Sequence, residues 1–129
     1  MFKIHNPATI APPTGRYQHG IEVPPQARWL YVSGQIGNLP DGSVAVGIAA
    51  QADAVWANLK AILAEAGMGL GDLVKINVLL TDARFIQASR EARDKALGDT
   101  RAPASTLSVV TALASPDFLI EIEAIAAKV

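Results

Sequence analysis

The chain has 129 residues, half of them apolar, enough for one domain spanning 1–129 to bury a core without metal or disulfide support. It contains no cysteine, which excludes thiol catalysis, disulfides and thiolate metal sites and makes the cytoplasm the default expectation. Eleven basic against twelve acidic residues leave a net charge of −1, so the totals carry no electrostatic footprint for nucleic acid or an anionic membrane.

The N-terminal run Met-Phe-Lys-Ile-His-Asn-Pro has no apolar signal core, and nowhere does an apolar run approach the roughly 20 residues that span a bilayer. The mature protein is therefore expected to start here, without a membrane segment. Phe2 to His5 reads as a short strand, and the prolines at 7, 12 and 13 make the following stretch an extended loop leading to Tyr17. His5 and His19 lie in separate segments with no carboxylate or second imidazole at ligand spacing, so no metal site is expected. Tyr17 to Val23 is strand-like, and Pro24-Pro25 is expected to turn it into an antiparallel hairpin with the strand starting near Trp29. That strand ends in Ser33-Gly34-Gln35-Ile36-Gly37, where a hydroxyl sits beside glycines that permit a bulge, a turn or the close approach of a ligand. Asp41-Gly42 signals a turn, and Val44 to Val46 a short edge strand.

Ile48, Ala52, Val55, Leu59, Ile62 and Ala66 recur at steps of four and three, the stripe of an amphipathic helix ending at Gly67. Leu73 to Leu80 alternates as a strand. Thr81-Asp82 offers an N-cap for a second helix reaching about Leu97, with Phe85, Ala88, Ala92 and Ala96 on one face and charges that read as solvated on the other. Thr106 to Val110 and Phe118 to Ala126 close the chain as strands, the last alternating Ile120, Ile122, Ala124 and Ala126 against Glu121 and Glu123. The order implies an α+β fold: a mixed, mostly antiparallel sheet with both helices on one face. The opposite sheet face, with residues such as Leu79 and Ile125, then needs cover, which predicts a homo-oligomer with the bare faces packed together.

Four segments in order, Tyr17-Gln18-His19-Gly20, Tyr31 to Gly37, Gln51 with Asn58 to Gly67, and Ile120-Glu121-Ile122-Glu123-Ala124-Ile125-Ala126, resemble the YjgF/RidA family. The resemblance covers nearly the whole chain. It implies a chorismate-mutase-like α+β fold, a homotrimer with ligand clefts between subunits, and hydrolysis of reactive enamine or imine metabolites to keto acids and ammonia without metal or organic cofactor. By motif, it implies a catalytic role for Glu121 as the group that activates water, and cleft positions for Tyr17 and Ser33. The family's carboxylate-binding arginine falls on Ser105, and a polar position on the second helix falls on Ser89, where active members tend to have asparagine. Serine lacks the charge and forked donors of a guanidinium. Arg101, four residues earlier in the loop, is a candidate to reach the cleft from a different direction, the alternative being an exposed loop arginine. Two readings stay open: a metal-free deaminase-like hydrolase or tautomerase of small metabolites, and a non-catalytic trimer that binds a metabolite or modulates a partner protein. A ribonuclease reading finds little support, since Lys and Arg are scattered and no aromatic-basic stacking platform is present.

Overall fold

The computed structural model describes residues 1–129. Its strands are β1 (Lys3–His5), β2 (Gly20–Glu22), β3 (Arg28–Ile36), β4 (Leu73–Leu80), β5 (Ala104–Val109) and β6 (Ile120–Lys128); its helices are α1 (Ile48–Glu65) and α2 (Ile86–Leu97). Strands β3, β6, β4 and β5 form one mixed sheet in that order, with β6 antiparallel to both neighbours and β5 parallel to β4. The alternation in β4 and β6 sends Ile76, Val78, Leu80, Ile120, Ile122 and Ala124 to one face, where Val55, Trp56, Leu59 and Leu63 of α1 and Ala92 and Leu97 of α2 complete the core. No helix is long and apolar enough to cross a membrane.

The expected hairpin between the Tyr17–Val23 segment and the Trp29 strand does not form. Only Gly20–Glu22 is strand, and it pairs with β1 as a separate two-stranded ribbon, while β3 takes β6 as its partner. The prolines at 24 and 25 remove the N–H donors a tight turn uses, whereas β6 offers a long alternating partner. Residues ahead of β2 run instead beside β5, where the Gln18 amide donates to the Pro103 carbonyl at 3.2 Å. Val44 to Val46 is also not a strand; one isolated bridge, Asn38 to Val44, is all the pairing it makes.

Helix α1 ends as its glycine predicts. Gly67 takes φ +69°, and the Met68 and Gly67 amides donate to the carbonyls of Leu63 and Ala64. At its other end Gln51 is buried and fully used: Nε2 donates to the Ala45 and Asp117 carbonyls at 3.0 and 2.8 Å, and Oε1 accepts from the Leu119 amide at 2.9 Å. One side chain thus joins α1 to the loops before it and before β6.

Asp82 caps a single 3₁₀ turn, Ala83–Phe85, from which α2 continues, accepting from the Arg84 amide at 2.8 Å. The Arg84 guanidinium also grips the Asp82 carboxylate, at 2.7 Å from Nη2, and these bonds lower its pKa to about 2. A carboxyl depressed below its unfolded value, about 3.9, contributes stability in full above that pH and loses it as pH falls towards 2. Asp82→Asn keeps a capping oxygen but removes the titration, so its acid denaturation curve should be flatter than wild type in this window. Parallel curves would remove Asp82 from the acid response.

Candidate functional site

A cavity of about 240 Å³ lies between α2 and the helix-facing side of the sheet. Strand pairing sets Ser105 and Leu107 of β5 beside Ile76 and Val78 of β4, all on the helix side, and Ile122 of β6 completes the floor. Trp56 of α1 forms one wall, and Ser89, Arg90 and Arg93 of α2 form another, with Tyr17 from the proline-rich loop at the edge. At the inward position of α2 that lines this space stands Ser89, whose short side chain leaves room above the strands.

Three of the residues singled out in the sequence, Tyr17, Ser89 and Ser105, meet here. Ser89 is 5% exposed, and neither its hydroxyl nor that of Ser105 has a hydrogen-bonding partner in the protein. Tyr17 is steadied by Thr14, whose amide donates to the phenol oxygen at 3.3 Å and whose hydroxyl lies 3.4 Å from it. These two bonds lower the phenol's pKa. His19 packs edge-on against the Tyr17 ring, 5.7 Å between centroids, and is held by the Ala11 carbonyl.

The other three residues are elsewhere. Glu121 and Ser33 lie on the sheet face away from the helices, since Glu121 alternates with the buried Ile120 and Ile122. The β3 register shifts between Val32 and Gln35, so Ser33-Gly34 is a bulge, and a Cβ on Gly34 would meet Glu121 Cδ at 2.6 Å. That glycine makes room for the carboxylate. On the same face Trp29 is 50% and Tyr31 75% exposed, while Glu123 accepts from Asn77 at 3.0 Å.

Arg101 does not reach the cavity in place of an arginine at 105. Its guanidinium donates to the carbonyls of Gly71, Leu73 and Ala102 at 2.7, 3.0 and 3.1 Å and stacks 4.9 Å from the Phe2 ring. Partial burial lowers its pKa against the smaller opposing pull of Asp72. It ties the loop ahead of β5 to the start of β4.

The charges of α2, expected to be solvated, include the two cations that line the cavity, Arg90 and Arg93. The Arg93 side chain is only 16% exposed. Its spacing from Ser89, four residues along the helix, was the available signal, because i and i+4 share a face. Trp56, one position from Val55 and outside the stripe read in the sequence, is buried and forms a cavity wall. No carboxylate lines the cavity, and no group of three or more His, Asp or Glu residues is placed to hold a metal ion.

Residues 8–128 match the family model described as Endoribonuclease L-PSP. A RutC family protein of Pyrococcus abyssi is 38% identical over 118 residues, covering 90% of this chain and 89% of that protein. The crystal structure of a Rid-family protein of unknown function from Yersinia pestis superimposes with a TM-score of 0.84 at 30% identity, covering 98% of both chains. TdcF of Escherichia coli, solved with bound serine, gives a TM-score of 0.74 at 29% identity, covering 98% of this chain and 99% of that one. With two helices on one face of a mixed sheet and a family match running almost end to end, this chain belongs to the YjgF/RidA family, the family that the Endoribonuclease L-PSP model describes.

Proposed function

We propose that this protein hydrolyses a small, reactive imine or enamine in the cavity beneath α2, in a homotrimer whose neighbouring copy supplies Glu121. The observation that carries the reading is the convergence of Tyr17, Ser89 and Ser105, from three separate segments, on one cavity whose two serine hydroxyls are unpartnered. TdcF, a relative named as a proposed reactive intermediate deaminase, is 31% identical over 116 residues, which supports a role on reactive metabolites at the level of the family. The half-exposed Trp29 and exposed Tyr31, with the partly buried Leu79 and Ile125 beside them, make the other sheet face suited to packing against further copies. Glu121 and Ser33 ride on that face and would enter a neighbour's cavity from it.

The chemistry needs no oxidant. Glu121 takes a proton from water as the water oxygen bonds to the imine carbon, the C=N electron pair moves to nitrogen, and the Glu121 carboxyl passes that proton on to the nitrogen. Collapse of the carbinolamine then forms C=O and breaks C–N, the hydroxyl proton passing through Glu121 to the departing nitrogen, which leaves as ammonia. The serine hydroxyls orient the polar end and Tyr17 shields the edge. Purified protein given freshly generated 2-iminopropionate should release ammonia well above the buffer rate. A rate equal to buffer across a panel of imines, with a metabolite still raising the melting temperature, would instead establish the second reading, a binding module. The serine at 105 is the observation that favours that alternative.

A further inference from the structure

The cavity's polar lining is one-sided. Its charged members are Arg90 and Arg93, and its neutral polar members are the hydroxyls of Tyr17, Ser89 and Ser105. Arg93 is held at one point only: its Nε donates to Asp94 Oδ1 at 3.0 Å, leaving both terminal amines without a protein partner. Asp94 is shared, since Arg16 Nη1 approaches the same oxygen at 3.7 Å, so one carboxylate stands against three guanidinium groups on this side of α2. Arg16 is itself occupied by the carbonyls of Gly98 and Thr100. Arg16 has its donors taken up by those carbonyls and Arg90 has no ion pair, so the lining carries net positive charge, and the free donor pair on it belongs to Arg93.

We infer that Arg93 is the carboxylate-binding residue of this cavity, presenting its two terminal amines to a small carboxylate ligand, with Arg90 adding charge at the rim. The inference rests on the cavity being the ligand site proposed above and assigns, on helix α2 of this chain, the residue that would hold the carboxylate of such a ligand. A guanidinium whose Nε is fixed offers its remaining pair of donors end-on, matched to the two oxygens of a carboxylate. The group comes from α2, approaching from above the sheet. Asp94 acts as a positioning residue, since it fixes the plane of the fork. The free hydroxyls of Ser89 and Ser105 remain to meet the ligand's other polar atoms.

Calorimetric titration with pyruvate, and in parallel with uncharged hydroxyacetone, tests this. Arg93→Met should weaken pyruvate binding at least about tenfold, the loss expected for charged hydrogen bonds, and leave hydroxyacetone unchanged. Arg93→Lys should fall between the two, keeping the charge without the fork. Arg84→Gln, which removes equal charge from an exposed position, should bind as wild type. If Ser105→Phe, filling the cavity, abolishes pyruvate binding while Arg93→Met leaves it intact, the cavity stands as the site and the role given to Arg93 falls. If neither substitution changes it, the cavity is not the pyruvate site and both readings fall. A wild-type protein that takes up hydroxyacetone but not pyruvate overturns the carboxylate assignment by itself.

Discussion

Glu121→Gln is expected to lower ammonia release from 2-iminopropionate at least about 100-fold without unfolding the protein, because a positioned general base contributes roughly 10²–10⁴ in rate. The substitution keeps shape and loses only basicity, so circular dichroism and melting temperature should match wild type. The stronger form of the test exploits where the residue lies. Within one chain the sheet separates Glu121 from the cavity of Tyr17, Ser89 and Ser105. If the catalytic unit is shared between copies, Glu121→Gln and Ser105→Phe are defective in different halves of it. Refolding the two inactive variants together should restore about a quarter of wild-type activity, the share of interfaces that pair an intact carboxylate with an open cavity. A mixture as inactive as its components would place Glu121 outside a shared site. Full activity of Glu121→Gln alone would remove it from the chemistry.

Gly37→Ala is expected to destabilise the fold by about 2–4 kcal/mol, more than most single overpacking substitutions. A Cβ there would stand 2.6 Å from Cβ and Cγ of Gln51 and 2.8 Å from its Cα. The Cα cannot yield without shifting the start of α1. A displaced Gln51 would also strain its bonds to Ala45, Asp117 and Leu119, so the cost reaches the loop that launches β6. Urea unfolding measures this as a lower midpoint with an unchanged slope. A loss under about 0.5 kcal/mol, the range of ordinary surface substitutions, would mean that α1 shifts freely at this end and that Gln51 is not the junction described.

Local patterns carried most of the element boundaries. The stripe from Ile48 to Ala66 with its terminal glycine appears as α1, and Leu73 to Leu80 is β4 to the residue. These succeed because helix and strand periodicity report burial of one face, which is a property of neighbouring residues. The pairing of Tyr17–Val23 was misread for the converse reason. Short connection favoured the Trp29 strand, but Gly20–Glu22 pairs with β1 and leaves the outer edge of β3 unpaired, a choice of partner that the alternation within the segment does not report.

Of the candidate site, Tyr17, Ser89 and Ser105 were legible by motif, and their convergence is now explained by β5 lying parallel to β4 beneath α2. Arg101 shows the limit of such reading, since adjacency in sequence suggested a substitute for the absent arginine while the fold spends its donors on Gly71, Leu73 and Ala102. Arg93 was hidden among residues of an ordinary charged helix face. By itself the sequence determined the class of fold, the absence of thiol chemistry and the serine at 105, because composition and periodicity are carried by each residue and its near neighbours. Only the tertiary structure decided which guanidinium faces the cavity and that Glu121 lies across the sheet from it. The direction of a long side chain is set by packing among segments far apart in the chain, and no local pattern encodes that.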